Sequence, residues 1–392
     1  MRIVVNDIAA SGGGALTILE SLHEYVRKSQ DGNEWVFLLG TAALEESARI
    51  RTVALPEVKK SWVKRLAFDT ISGRRLLASL HPDVVLSLQN TITYGVRCPQ
   101  VVYVHQSLPF QKTKNFSLRR RDERVLAIYQ HIIGAMIKDS VHRASHVIVQ
   151  TEWMRNAILD QVDIADERID TVSPELEDLS AYRHGGEVDS RAFFYPTSDH
   201  SYKNNECVEE ACRLLEEECL TDFKVTMTIS SGRAPNVEAI GRISRAEVLA
   251  RLSQSTLIFP STIETYGLPL AEARALGSIV LAADLAYARE VLNGYANAHF
   301  FDPASPAELA GLMRQVVGGE IARLTSASEI PRDSGWERVV EIVESCGRDG
   351  RRSPGRTRAA AVRGCFKFRP RVRSSRTKIR KDGTQCVPLD SL

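Results

Sequence analysis

Short apolar runs alternate with segments of helical period from the first residues onward. Residues 3–5, 35–39, 84–88, 101–104 and 147–149 are runs of the kind that form strands buried on both faces. Between them lie amphipathic stretches, 16–28 and 125–144 among them, which predict helices. A second series begins near Ala192, with apolar runs at 193–195, 225–229, 257–259 and 279–282, again separated by helical patterns. Strand–helix alternation of this sort predicts an α/β protein with parallel sheets covered on both faces. Between the two series, Ser173-Pro174-Glu175 opens a polar stretch that includes Gly185-Gly186. The expected organisation is therefore an N-terminal Rossmann-like domain over 1–175, a linker over 176–190 and a second Rossmann-like domain over 191–345.

Composition changes this picture only at the C-terminal end. With 43% hydrophobic and 26% charged residues in 392, the chain has the make-up of an ordinary globular protein, which excludes a collagen or a mainly disordered chain. The formal charge of +2 hides an asymmetry: residues 346–392 hold 14 Lys/Arg against 3 Asp/Glu, leaving the remainder at about −9. That tail has little apolar periodicity and reads as a disordered or marginally ordered extension outside the fold. No run approaches the ~18 apolar residues of a membrane span; the richest, 125–137, is interrupted by Gln130, His131 and Gly134. The apolar stretch behind Arg2 is too short for a signal-peptide core. Seven cysteines without paired CxxC spacing indicate neither a disulfide framework nor a zinc site, and Cys207, Cys212 and Cys219 read as idle thiols in a helix. A cytoplasmic location is expected.

Two loops carry candidate chemistry. Ser11-Gly12-Gly13-Gly14 follows the first strand and precedes a helix, so its amides can approach a phosphate or sugar, although a tight turn explains the glycines equally well. It is not the GxGxxG of a dinucleotide site. The second loop, Thr262-Ile263-Glu264-Thr265-Tyr266-Gly267-Leu268-Pro269-Leu270-Ala271-Glu272-Ala273, follows the 257–259 strand. Pro269 suits a first helical turn and Gly277 a helix end, which puts Glu264 in the loop and Glu272 one turn inside the helix. A diphosphate near these amides would be favoured by the helix dipole. Glu272 could then accept hydrogen bonds from a ribose diol while Glu264 reaches past the phosphates. For a generic helix, two dipole-favoured acids would be the plainer explanation.

The setting of those acids, Pro-Ser-x2-Glu-x-Tyr-Gly-Leu-Pro-x2-Glu-Ala, resembles the signature of group 1 glycosyltransferases, the retaining family-4 class. Ile240-Gly241-Arg242-Ile243 before it, Ala283-Asp284 through Glu290-Val291 and Phe301-Asp302-Pro303 after it, and Trp336-Glu337-Arg338-Val339 near the end are similar to the family's ordered elements. The resemblance spans roughly 1–345 and is strongest over 193–345. It implies a GT-B fold, two Rossmann-like parallel-sheet domains facing a cleft. The donor is a nucleotide diphosphate sugar, with no further cofactor and no essential metal. By the same resemblance Glu272 holds the donor ribose, Glu264 contacts the transferred sugar, Lys203 neutralises the diphosphate and His105 stands near the donor sugar. Gly12, Gly13 and Gly14 face the donor, with Tyr266, Gly267 and Leu268 lining the loop that binds it. The family's arginine five residues before the lysine is replaced here by Ser198; Arg233 is the candidate substitute.

The resemblance further implies a hydroxyl acceptor belonging to a bacterial surface polysaccharide (O-antigen, capsule or exopolysaccharide) or its lipid-linked precursor. Lys112, Lys114, Arg119, Arg120, Arg121 and Arg124 beside the apolar 125–137 stretch suit docking on an anionic membrane surface, at the inner face of the cell membrane. A solvated helix face is the alternative for that cluster. No nucleic-acid-binding signature accompanies the charge. Two rival functions remain at this point: a nucleotide-sugar epimerase of the same fold, and a catalytically silent sugar-binding scaffold.

Overall fold

The computed structural model describes residues 1–10, 12–121, 123–183, 188–324 and 335–352. The expected α/β GT-B fold is present as two parallel sheets. The first has the order β3-β2-β1-β4-β5-β6-β7. Its strands are β1 (Arg2–Asp7), β2 (Glu34–Leu39), β3 (Ile50–Ala54), β4 (Val84–Ser87), β5 (Gln100–Val104), β6 (His146–Val149) and β7 (Ile169–Thr171). The second has the order β10-β9-β8-β11-β12-β13. It is built from β8 (Ala192–Tyr195), β9 (Lys224–Met227), β10 (Val237–Ala239), β11 (Thr256–Phe259), β12 (Val280–Ala283) and β13 (Ala298–Phe301). Ile3 pairs with both Trp35 and Val84, and Leu257 pairs with Val280 and Phe194, always in parallel.

The central strands β4, β5, β11 and β12 are buried at every position, as strands with helices on both faces must be. Phe193, Phe194, Tyr195, Phe259, Leu270, Tyr287 and Met313 fill one core around the second sheet. Val4, Val36, Leu38, Phe68, Leu77 and Val85 form a smaller one at the first. Apolar patterning did not predict β3, β7, β10 and β13, and these are the four sheet edges. An edge strand buries less, so Ile50–Ala54 and Val237–Ala239 carry Arg51, Thr52 and Glu238.

One expected element takes a different form. The amphipathic stretch 125–144 is a short helix Arg124–Ala127, a π-helical segment Ile128–Ile133 and a helix Gly134–Arg143. At Gly134 an added Cβ would lie 3.0 Å from Pro109 Cβ and 3.1 Å from the Tyr129 carbonyl oxygen, so the widened turn and the missing side chain go together.

Among the described residues the chain divides into two compact units, 1–102 with 143–145 and 342–352, and 103–142 with 146–341. The helix Gly335–Arg352 runs past residue 345, where the fold was expected to end. Residues 353–392 of the basic tail, the Gly185-Gly186 of the linker and Ser11 lie outside the described residues. No described helix is long and apolar enough to cross a membrane.

Candidate active site

The second unit assembles its polar cluster at the C-terminal ends of β8 and β11. Strand β11 ends at Phe259, and residues 260–267 loop to the helix Leu268–Leu276. Gly267 caps that helix with φ +80°, a left-handed conformation costly for any side chain. Pro269 lies in the first turn and Gly277, at φ +76°, closes the other end. The first turn has no side-chain cap; Pro269 has no N–H and the Leu270 amide donates to the Gly267 carbonyl at 2.8 Å, so an anion there would be met by the remaining amides and the helix dipole.

Strand β8 delivers Lys203 on the turn Ser201–Lys203. The two loops are stitched together: the Tyr202 carbonyl accepts from Thr262 N at 2.8 Å and Thr262 Oγ1 at 3.0 Å. The buried Tyr195 hydroxyl donates to the Lys203 carbonyl at 2.7 Å, and that of Tyr287 donates to the Ser261 carbonyl at 2.6 Å. Burial pushes both phenols well above their ordinary range, so they stay neutral donors. Within this frame Lys203 Nζ meets Glu264 Oε1 at 2.5 Å, and Ser261 Oγ donates to the same oxygen at 2.8 Å. Lys203 Nζ also stands 5.5 Å from the Tyr202 ring centre and 5.9 Å from that of Phe259. Both charged side chains are less than one-fifth exposed, so their mutual attraction is only partly screened by water.

Glu272 lies one turn into the helix and is 1% exposed. Burial raises its carboxyl above the usual range, opposed by Arg245, whose Nη1 donates to Glu272 Oε1 at 2.7 Å. The arrangement brings one cation, Lys203, and two carboxylates, Glu264 and Glu272, to the loop and first turns of a single helix.

Residues 225–328 match the family model for glycosyl transferases group 1. The chain carries a group 1 glycosyltransferase domain. That match covers the stretch holding Glu264 and Glu272. No curated protein matches the sequence. The solved structure of WaaG, a glycosyltransferase involved in lipopolysaccharide biosynthesis, is similar over 87% of this chain and 99% of its own, with a TM-score of 0.63 at 15% identity. TarM is similar over 88% of this chain and 98% of its own, with a TM-score of 0.62 at 11% identity. Anabaena HepE in complex with UDP and glucose covers 90% of this chain and 99% of its own, with a TM-score of 0.60 at 14% identity. At these identities the likenesses show the shared fold.

The remaining predicted site residues fall as follows. His105, directly after β5, is held down to about 4 by burial, so its imidazole is neutral near pH 7. Its carbonyl accepts from Thr265 Oγ1 at 3.3 Å, and the Thr265 carbonyl accepts from Thr151 Oγ1 and Trp153 Nε1, each at 2.9 Å. His105 is thereby joined through the backbone to the loop that carries Glu264. Tyr266 is buried, and Leu268 is the first helical residue. Gly12, Gly13 and Gly14 open the helix Gly13–Lys28 of the first unit, with Gly13 at φ +59° and nothing within 4 Å of where its Cβ would be.

Arg233 is not joined to Lys203 or Glu264 by any hydrogen bond or ion pair among the described residues. It lines a cavity of about 400 Å³ with Asn204, Glu206, Glu209, Arg213 and Pro303, while its backbone N–H donates to Glu209 at 3.0 Å. Ser198, at the position of the family's arginine, accepts from Asn205 Nδ2 through its carbonyl at 2.8 Å. No group of three or more His, Cys, Asp or Glu is placed to hold a metal among the described residues.

Sequence reasoning missed Arg245 and Ser261. Ser244-x2-Glu247 marks a helix start, with Ser244 Oγ accepting from Glu247 N at 3.2 Å. Nothing local in the sequence couples Arg245 to a carboxylate 27 positions away.

Proposed function

We propose that this protein is a retaining glycosyltransferase that moves a sugar from a nucleotide diphosphate sugar to a hydroxyl of a bacterial surface polysaccharide or its lipid-linked precursor. The observation that carries the reading is the Lys203–Glu264 pair at the uncapped start of the Leu268–Leu276 helix, with Glu272 one turn on. As the bond from the anomeric carbon to the diphosphate breaks, negative charge gathers on the leaving group. Lys203 and the first-turn amides provide fixed positive partners for it, and such pre-set charge stabilises a transition state more than a ground state. Glu264 meets the transferred sugar as that sugar gains positive character, and Glu272 accepts from the ribose hydroxyls. With Lys203 as the charge sink, turnover is expected without a metal. The binding of UDP and glucose by HepE supports a uridine donor as the first to try.

The basic segment supports a place at an anionic membrane surface. Lys112, Lys114 and Arg120 are paired with Asp160 and Glu123, whereas Arg119, Arg121 and Arg124 are exposed beside the exposed apolar Leu118, Val125 and Ile132. Cations flanking apolar side chains fit a lipid headgroup region.

A panel of nucleotide sugars screened by thermal shift, followed by nucleotide release with and without saccharide acceptors, tests the reading. Acceptor-stimulated release with retained anomeric configuration in the product supports it. Acceptor-independent release would indicate the epimerase, and donor binding without release the scaffold.

A further inference from the structure

We propose that Arg245 is a positioning residue of the donor site, holding the Glu272 carboxylate ionised and turned so that its second oxygen faces the donor ribose. The inference rests on the ribose role given to Glu272 above. Arg245 is the first residue of the helix Arg245–Gln254, where the dipole disfavours a cation. Its guanidinium there is used as a fork: Nη1 donates to Glu272 Oε1 at 2.7 Å, and Nε donates to Glu177 Oε1 at 2.8 Å.

The Glu272 side chain is 2% exposed, and no hydrogen bond reaches its Oε2 among the described residues. A buried carboxylate with one partner keeps its charge because of that partner. Glu177 accepts from the Nε side of the same guanidinium, which favours the orientation that presents Nη1 to Glu272. One oxygen is thus committed to the protein and one is left for a ligand hydroxyl. A neutral Glu272 would lose the charge assistance that makes such a bond strong. The charged groups that act on Glu272 are Arg245, from the helix packed against it, and Glu177, from the connecting segment before β8.

The test compares Arg245→Met, Arg245→Lys, Glu272→Gln and the Arg245→Met/Glu272→Gln double variant in the full chain, with the donor that the wild type uses. Donor KM and kcat are read from pH 6 to 8, with the thermal midpoint recorded alongside. Arg245→Met is expected to raise donor KM about tenfold or more at pH 7 with kcat little changed. That defect should deepen as pH falls, because the unpartnered buried carboxyl takes up a proton. Glu272→Gln should show a raised KM without that added pH dependence. The double variant should be no worse than Glu272→Gln alone, as expected for two residues acting as one unit. Arg245→Lys, which keeps the charge, should recover most of the loss.

A donor KM for Arg245→Met within twofold of wild type, or below it, would overturn the inference; the lower value would make Arg245 a competitor for Glu272. If Glu272→Gln itself leaves donor KM unchanged, the ribose reading falls and takes this inference with it. Should Arg245→Met fail to fold, Arg245→Gln supports or overturns the inference by the same comparison.

Discussion

Replacing Asp7 with Asn should make the protein more stable at alkaline pH and leave it nearly unchanged in acid. Asp7 ends β1, is 1% exposed, and neither carboxylate oxygen has a hydrogen-bond partner among the described side chains. Burial pushes its carboxyl up to about 7, against a backbone hydrogen bond from Ala10 and weaker attractions from Arg65 and Lys59. An unfolded Asp titrates near 3.9. Between those values the native chain holds a proton that the unfolded chain has released, so stability falls as pH rises. The contribution is fully present below about pH 4 and is lost as pH passes through about 7. Three units at ~1.4 kcal/mol each amount to roughly 4 kcal/mol, an upper figure because local relaxation lets water reach the charge. An amide has the shape of the protonated acid and does not titrate. Urea unfolding of wild type and Asp7→Asn, followed by far-UV dichroism from pH 4 to 8.5, should show a stability difference that starts near zero and grows in favour of the variant by up to about 4 kcal/mol. A difference independent of pH, or one that favours the wild type at pH 8, would mean that Asp7 is ionised and paired in the fold, and the reasoning would fail.

Asp69, likewise pushed up to about 7 by burial but bonded by Thr91 and Gln89, should give a smaller gain on Asp69→Asn, because hydrogen bonds to those partners are disturbed; the same titration checks it. Lys203→Ala should lower kcat by roughly 10²-fold with a smaller effect on donor KM, since it removes charge compensation for the leaving diphosphate; steady-state kinetics decide. Turnover should persist in excess EDTA, and an activity abolished by the chelator and restored by Mn²⁺ or Mg²⁺ would refute the role given to Lys203. A chain ending after Arg352 keeps the Arg351–Asp83 ion pair, and its turnover on a soluble acceptor should stay within a few-fold of the full length. If binding to anionic vesicles drops while that turnover persists, the tail acts as an electrostatic anchor.

Strands with helices on both faces announce themselves as uninterrupted apolar runs, so β1, β2, β4, β5, β6, β8, β9, β11 and β12 were legible. The four edges were not, because an edge strand shares its face with water and can be built from Ile-Asp-Thr or Val-Glu-Ala. Glu264, Gly267, Pro269 and Glu272 were legible because a loop entering a helix obeys local rules of spacing. Their partners followed no such rule. Arg245 pairs with Glu272 across 27 positions and Lys203 with Glu264 across 61, and only the parallel order of β8 and β11 brings the latter loops together. The π-helical turn at Ile128–Ile133 ends at Gly134, which lies close against Pro109, a contact that periodicity alone does not encode.

The central claim is that Glu264 and Glu272 serve one donor in different ways, and steady-state kinetics of Glu264→Gln and Glu272→Gln test it most directly. A ribose is held alike in ground and transition states, so Glu272→Gln should raise donor KM about tenfold to a hundredfold with kcat nearly unchanged. Glu264 meets a sugar whose charge develops during the reaction, so Glu264→Gln should lower kcat more than it raises KM. If both variants fold and keep wild-type kinetics, the two acids serve only the helix dipole and the glycosyl-transfer assignment of this site is contradicted.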